Sequence, residues 1–276
     1  MKAIKYIIGI SLLLTGLTSC EGLNKEKTQD EIEQKWPATI TTVSAGDFVL
    51  VKRDTTGFTM GDENLVTSSP THTVKFSKSY YICTTEVTQA QWAAIMQTNP
   101  SDNIDAAEGA NTDNLPVNNI TLDEAKLFVE ALNIATGRKF AIPTEAQWEW
   151  AAIGGTLSNN YSFSGSDNIS EVASISGELN EVAKFKANEL GIYDMTGNVE
   201  EWTADKYGNY SASTATDPTG AKTGTFYVSR GGHYEYGSDA ELLNVKSRNK
   251  IKGIEKSYVR GLRLILEEPL DTELVK

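Results

Sequence analysis

Apolar residues keep two different periods along the first half of the chain. Asp47–Val51 and Phe58–Met60 are short apolar runs with Asp54, Thr55, Thr56 and Gly57 between them, which predicts two strands and a turn. Val74, Phe76, Tyr80 and Ile82 stand at even spacing within His72–Ile82, the alternation of one half-buried strand. Three later segments change to the helical period, and each is introduced by the same device. Thr88 precedes Gln91, Thr121 precedes Glu124 and Thr144 precedes Gln147, each by three residues. In such a capping box the Thr oxygen and the Glu or Gln side chain satisfy amides that the first turn leaves orphaned. The first predicted helix buries Trp92, Ile95 and Met96 and ends before Asn99 and Pro100. The second carries Leu122, Ala125, Phe128, Val129 and Leu132 on one face and stops at Gly137. The third starts after Pro143, carries Trp148 and Ala151, and stops at Gly154 and Gly155.

Beyond Gly155 no long periodic stretch remains. Residues 158–177 and 206–224 are rich in small and polar residues, and short strands are predicted at Tyr227–Ser229 and Leu262–Leu266. Helices in the first half and irregular β structure in the second predict a single, loop-rich α+β domain, with neither an internal repeat nor βαβ alternation.

The ends read differently. Lys2 and Lys5, the apolar run Ile7–Leu14, and then Leu17, Thr18, Ser19 and Cys20 match a bacterial lipoprotein signal, cleaved to leave Cys20 as an acylated N-terminus. The expected organisation is a signal peptide over 1–19, the acylated Cys20 and a polar tether over 20–44, one domain over 45–266 and an acidic tail over 267–276. Glu21–Trp36 is polar enough for a solvated tether or at most a short polar helix. Cys20 and Cys83 are the only cysteines, so a lipidated Cys20 leaves Cys83 without a disulfide partner and the fold must rest on its core. No second apolar run is long enough to span a membrane, which leaves lipid on Cys20 as the membrane attachment. A hydrophobic fraction of 39% excludes a disordered chain, and a net charge of −12, or −14 once Lys2 and Lys5 are removed, argues against nucleic acid as a partner.

The segment Gly191–Trp202 (GIYDMTGNVEEW) concentrates the candidate chemistry. It turns at Thr196, Gly197 and Asn198, with Asp194 and Glu201 on either side. Two readings are open: an acidic turn with solvated carboxylates, or a hard-oxygen site in which carboxylates and carbonyls converge on calcium.

Taken in order, several segments resemble the formylglycine-generating enzyme family, the sulfatase-modifying factors. They are Gly57–Gly61, Pro70 with His72 and Val74, Glu86–Thr88 with Trp92, Leu115–Val117 before Thr121, Ile142–Glu149, Gly191–Trp202, Val228–Gly232 and Gly261–Arg263. The series spans Gly57 to Leu264. The resemblance implies a fold of the C-type-lectin-like class, a few helices around twisted antiparallel strands. It also implies a structural calcium ion held by the side chains of Asp194 and Glu201 and the carbonyls of Gly197 and Val199. A second calcium loop of the family corresponds to Tyr161–Phe185, which is shortened here, and is not carried over. The family's oxidases place two cysteines shortly after Arg-Gly-Gly and use them with copper. Counted from Arg230 those places hold Tyr236 and Glu241, no cysteine follows Cys83, and no copper is expected. His233 stands where the family has a serine, Glu200 where it has an aromatic residue, and Leu262 where it has a phenylalanine.

The remaining chemistry is sparse. His72 and His233 are the only histidines, too few for a His-rich zinc or iron site. His72 is expected as a hydrogen-bonded structural residue of its strand. His233, Tyr234, Tyr236 and Glu200 are the residues expected around any cleft near the family's catalytic loop. Glu145 and Glu149, an i,i+4 pair, are read as scaffold rather than as an acid pair, and Arg230 and Arg263 as buried structural donors. No catalytic residue is assigned. The expected function is a lipid-anchored, non-catalytic binding or scaffold module of the cell envelope, with a protein or glycan partner and placement in the outer membrane, since Glu21 rather than Asp follows Cys20. The alternative is a formylglycine-generating-type oxidase or another metal-dependent enzyme with a relocated site. A sugar-binding lectin is a third possibility on fold class alone, but the Glu-Pro-Asn and Gln-Pro-Asp loops of calcium-dependent lectins are missing.

Overall fold

The computed structural model describes residues 27–274, so the signal segment and Cys20 lie outside the described residues. In chain order the elements are α1 (Gln29–Glu33), β1 (Thr39–Thr42), β2 (Gly46–Val51), β3 (Phe58–Met60), β4 (His72–Lys75), β5 (Tyr80–Cys83), α2 (Gln89–Met96), α3 (Leu122–Thr136), β6 (Phe140–Ala141), α4 (Glu145–Ala152), α5 (Ile169–Val172), β7 (Glu200–Lys206), β8 (Ala215–Thr216), β9 (Phe226–Arg230), β10 (Arg248–Lys252), β11 (Arg260–Gly261) and β12 (Ile265–Leu266). Three sheets result, with strand orders β1-β2-β5-β12-β6, β10-β9-β7-β11 and β3-β4-β8. Most pairs are antiparallel, while β11 with β7 and β4 with β8 run parallel. The α+β class predicted from the sequence is the observed one.

All three expected capping boxes form. Thr88, Thr121 and Thr144 each accept from the amide three residues on, and Gln91, Glu124 and Gln147 reciprocate. Thr28 and Glu31 add a fourth on α1. α3 closes on Gly137 in the left-handed region, as its sequence predicts. Its stripe packs Phe128 flat against Trp92 of α2, ring centroids 4.9 Å apart. α4 is different: Glu145, Ala146, Trp148, Glu149, Trp150, Ala151 and Ala152 are all buried. A helix buried nearly all round lies inside the molecule, and α4 carries two carboxylates there.

Three expectations need correction. His72–Ile82 is not one strand but two, β4 and β5, placed in different sheets by the break at Phe76–Ser79. The even spacing does not mark a single half-buried strand: β4 buries one residue, Val74, while β5 is buried on both faces. Of the expected strand Leu262–Leu266 only Ile265 and Leu266 form one, β12; β11 precedes it in a different sheet, and Leu262, Arg263 and Leu264 cross between them. Finally, the domain is longer at both ends than 45–266. Trp36 stacks on Tyr81 at 5.6 Å, Ile40 of β1 is in the core, and Glu33 accepts from the Ser79 amide at 2.9 Å. At the other end Leu274 packs on the same core and Glu273 pairs with Arg138. Single aromatic and aliphatic anchors in polar surroundings carry little periodic signal, so the sequence reads both segments as solvent-facing.

Candidate functional site

Gly191–Trp202 leaves the surface and runs into the interior. Asp194, Gly197 and Asn198 all take positive φ, and a Cβ on Gly197 would meet Ala173 at 3.0 Å, so the turn is tight and covered. The solvated-turn reading is excluded by burial: Asp194, Thr196, Asn198, Val199, Glu200 and Glu201 are all buried.

Inside, the carboxylates find protein partners. Glu201 Oε1 accepts from Arg263 Nε at 2.9 Å and from its terminal nitrogen at 2.8 Å. Oε2 accepts from Trp148 Nε1 at 2.6 Å and from Arg263 Nε at 3.0 Å. Arg263 also donates to the carbonyls of Cys83 at 2.9 Å and Tyr193 at 2.8 Å. Asp194 accepts from the Ala183 amide at 2.7 Å. Glu86, a residue to which sequence reasoning gave no role, accepts from Asn198 Nδ2 at 3.1 Å and from the Val199 amide at 3.2 Å. Burial, with the charge of Asp194 second, pushes Glu86 well above the usual carboxylate range. Burial pushes Asp194 up to about 6, against the opposing Ala183 amide.

The expected calcium set of Asp194, Gly197, Val199 and Glu201 does not fit this arrangement. Both Glu201 oxygens already accept two hydrogen bonds each, and a guanidinium supplies the positive charge that calcium would bring. Among the described residues no group of three or more His, Cys, Asp or Glu side chains converges to hold a metal ion. Spacing alone does not show that Arg263, distant in sequence, enters the same space.

The residues expected around a cleft are brought close but are not equivalent. Glu200 forms an ion pair with Arg260 at 2.6 Å and accepts from Ser229 Oγ at 2.7 Å and Asn249 Nδ2 at 3.0 Å. Tyr234 is a core residue beside Leu115, Leu179 and Val199, and its hydroxyl donates to Asp105 at 3.2 Å. Neither is free to line a cleft. His233 and Tyr236 remain, their rings 3.8 Å apart, and burial holds His233 below the usual imidazole range and raises Tyr236. Glu241, the residue expected at the second of the two positions counted from Arg230, is exposed. Cys83 is buried in the core, its thiol 3.3 Å from the Ala45 carbonyl and pushed up by burial.

A second buried charged cluster joins α4 to β9 and β10. Glu149 pairs with Arg230 and accepts from the Gly61 amide at 2.8 Å; Glu145 pairs with Arg248 at 2.6 Å and with Arg230 at 3.3 Å. This is the scaffold role read from the sequence for Glu145, Glu149 and Arg230, and Arg263 fills the same role in the first cluster.

A family model described as the sulfatase-modifying factor enzyme 1-like domain matches residues 25–268. The chain belongs to this family. Among curated relatives, the chaperone protein LppX of Paenibacillus barcinonensis is 34% identical, over 45% of this chain and 61% of that protein. The formylglycine-generating enzyme of Thermomonospora curvata is 29% identical, over 38% of this chain and 42% of that enzyme. The chain thus spans less than two thirds of the length of either. Among solved structures, the Treponema denticola variable protein 1 superposes with a TM-score of 0.75 at 27% identity, over 84% of this chain and 99% of that one. The family match begins at residue 25 and so includes the segments before residue 45.

Proposed function

We propose that this chain is a non-catalytic binding module of the cell envelope, held to a membrane by lipid on Cys20. One observation carries the non-catalytic half. The positions that hold the oxidases' cysteines carry Tyr236 and Glu241, and the only cysteine in the domain, Cys83, is sealed in the core with its thiol held protonated by burial. Copper-thiolate chemistry needs exposed soft ligands. The alternative of an oxidase with a relocated site finds no second thiol within the domain to relocate to.

The binding half is supported by the same face. The half-buried Tyr236 is tilted against the buried His233 there, Tyr258 donates to Glu235 at 3.0 Å, and Leu242 and Ile175 are exposed close by. Aromatic and aliphatic side chains at the surface are the composition of an interface centre. The name of the Paenibacillus relative, a chaperone protein, accords with binding. The lipid anchor rests on Leu17–Cys20, and placement in the outer membrane on Glu21 at the position after it. The partner is an envelope protein or glycan, to be identified by cross-linking in native envelope. For the non-catalytic half, purified protein incubated with copper and a sulfatase-motif cysteine peptide is expected to yield no aldehyde by mass spectrometry. Copper-dependent turnover would overturn it.

A further inference from the structure

On the flank of the molecule formed by α4, β7 and β10, a pocket of about 250 Å³ is walled by His72, Glu145, Asp205, Tyr210 and Arg248 and bounded by segment 208–221. The hydrogen bonds made in its wall leave an imbalance. Tyr210 donates its hydroxyl to Glu145 at 2.9 Å. Arg248 donates to Glu145 at 2.7 and 2.6 Å and to the Gly208 carbonyl at 2.8 Å. These donors are all spent on protein partners. Two buried atoms have none: Asp205 Oδ1 and His72 Nδ1. Asp205 is only 3% exposed, so bulk water does not compensate it. Unmatched buried polar atoms are uncommon in native proteins and call for a partner, an ordered water or a ligand; here two of them face one pocket.

The missing partner has a definable chemistry. A carboxylate oxygen only accepts, and burial keeps His72 neutral, so its Nδ1 accepts in the tautomer protonated at Nε2. The ligand must therefore bring donors. The charges around α4 add a sign: Glu145, Glu149 and Asp205 face Arg230 and Arg248, leaving one carboxylate without a counter-ion. Two free ligand atoms are too few for a metal site, and no metal-binding group of three occurs among the described residues. The volume lies below the roughly 300–1,000 Å³ of pockets that take drug-sized molecules, so the ligand is small.

From these observations we infer that the pocket binds a small primary ammonium compound, with its charge on Asp205 and one N–H directed at His72. Burial, with the charge of Glu145 second, raises the Asp205 carboxyl to about 7 against the opposing Glu145 amide and the charges of Arg248 and Arg230, and a bound cation relieves that penalty. A polyol satisfies the acceptors but not the charge.

The test uses the detergent-solubilised full chain and ligand-observed saturation-transfer NMR. Glucosamine and ethanolamine are the probes, with glucose and ethylene glycol as neutral counterparts of matched shape. Both amines are expected to bind at millimolar concentration, at least about tenfold more tightly than their counterparts, as expected for hydrogen bonds to a charged group. Asp205→Asn keeps the shape and is expected to remove that preference, with its fold checked by thermal unfolding. If the variant is unfolded, the comparison of amine with neutral probe on the unsubstituted chain decides. No binding of either amine, equal binding of the neutral probes, or an unchanged preference in a folded Asp205→Asn variant would each overturn the proposal.

Discussion

Arg263 is where the interior of this domain is most exposed to a single change. Its guanidinium is fully buried and makes three hydrogen bonds to Glu201 and one each to the carbonyls of Cys83 and Tyr193. Arg263→Met keeps the apolar stem but leaves Glu201 charged and unpaired beside the buried Glu86 and Asp194. Removing one partner of a buried pair costs about 3–5 kcal/mol. For a domain of this size that corresponds to a fall in Tm of roughly 6–20 °C. Glu201→Gln is expected to cost less, because Asp194 and Glu86 face the same guanidinium and ionise in its place. The double variant is expected to be less damaged than the two losses added, with a coupling of about 1 kcal/mol or more. Thermal and urea unfolding of the four proteins, with and without exhaustive chelation, measure all of this. If Arg263 is the counter-ion, chelation and added calcium leave the unsubstituted Tm unchanged. A harmless Arg263→Met together with a calcium-dependent rise in Tm would refute the reasoning and return the turn to a calcium site.

Two further outcomes are expected. Cys20→Ala should release the protein from membrane fractions, since each buried acyl CH₂ contributes about 0.8 kcal/mol; retention equal to the parent would show that lipid is not the anchor. Stability should also fall as pH rises from the ordinary Asp value of 3.8 to about 7, because the native state keeps a proton on Asp205 that the unfolded chain has released. That loss, of order 4 kcal/mol if the whole shift is expressed, should be absent from the pH profile of Asp205→Asn, while an unchanged slope in the variant would place the titration elsewhere.

Local chemistry was legible in the chain itself. A Thr three residues before Glu or Gln satisfies orphan amides with atoms a single turn away, so the capping boxes at Thr88, Thr121 and Thr144 follow from sequence alone. The same holds for Gly137, whose left-handed cap is set by its own backbone. That no cysteine follows Cys83, and so no thiol pair can follow Arg230, needs only a count of cysteines. What the sequence could not decide depends on residues far apart in the chain. Asp194 and Glu201 read as solvated from the local pattern and as calcium ligands from the family resemblance, until Arg263 and Trp148 are seen to engage Glu201, and the Ala183 amide to engage Asp194. Glu200 and Tyr234 read as cleft residues until Arg260 and Asp105 engage them. His72, expected as a hydrogen-bonded residue of its strand, does bond the Pro70 backbone, but its Nδ1 has no partner where β4, β7 and segment 208–221 enclose it together with Asp205. The partner and the burial of a polar group are properties of the space around it, and that space is assembled only when strands as distant as β5 and β12 pair.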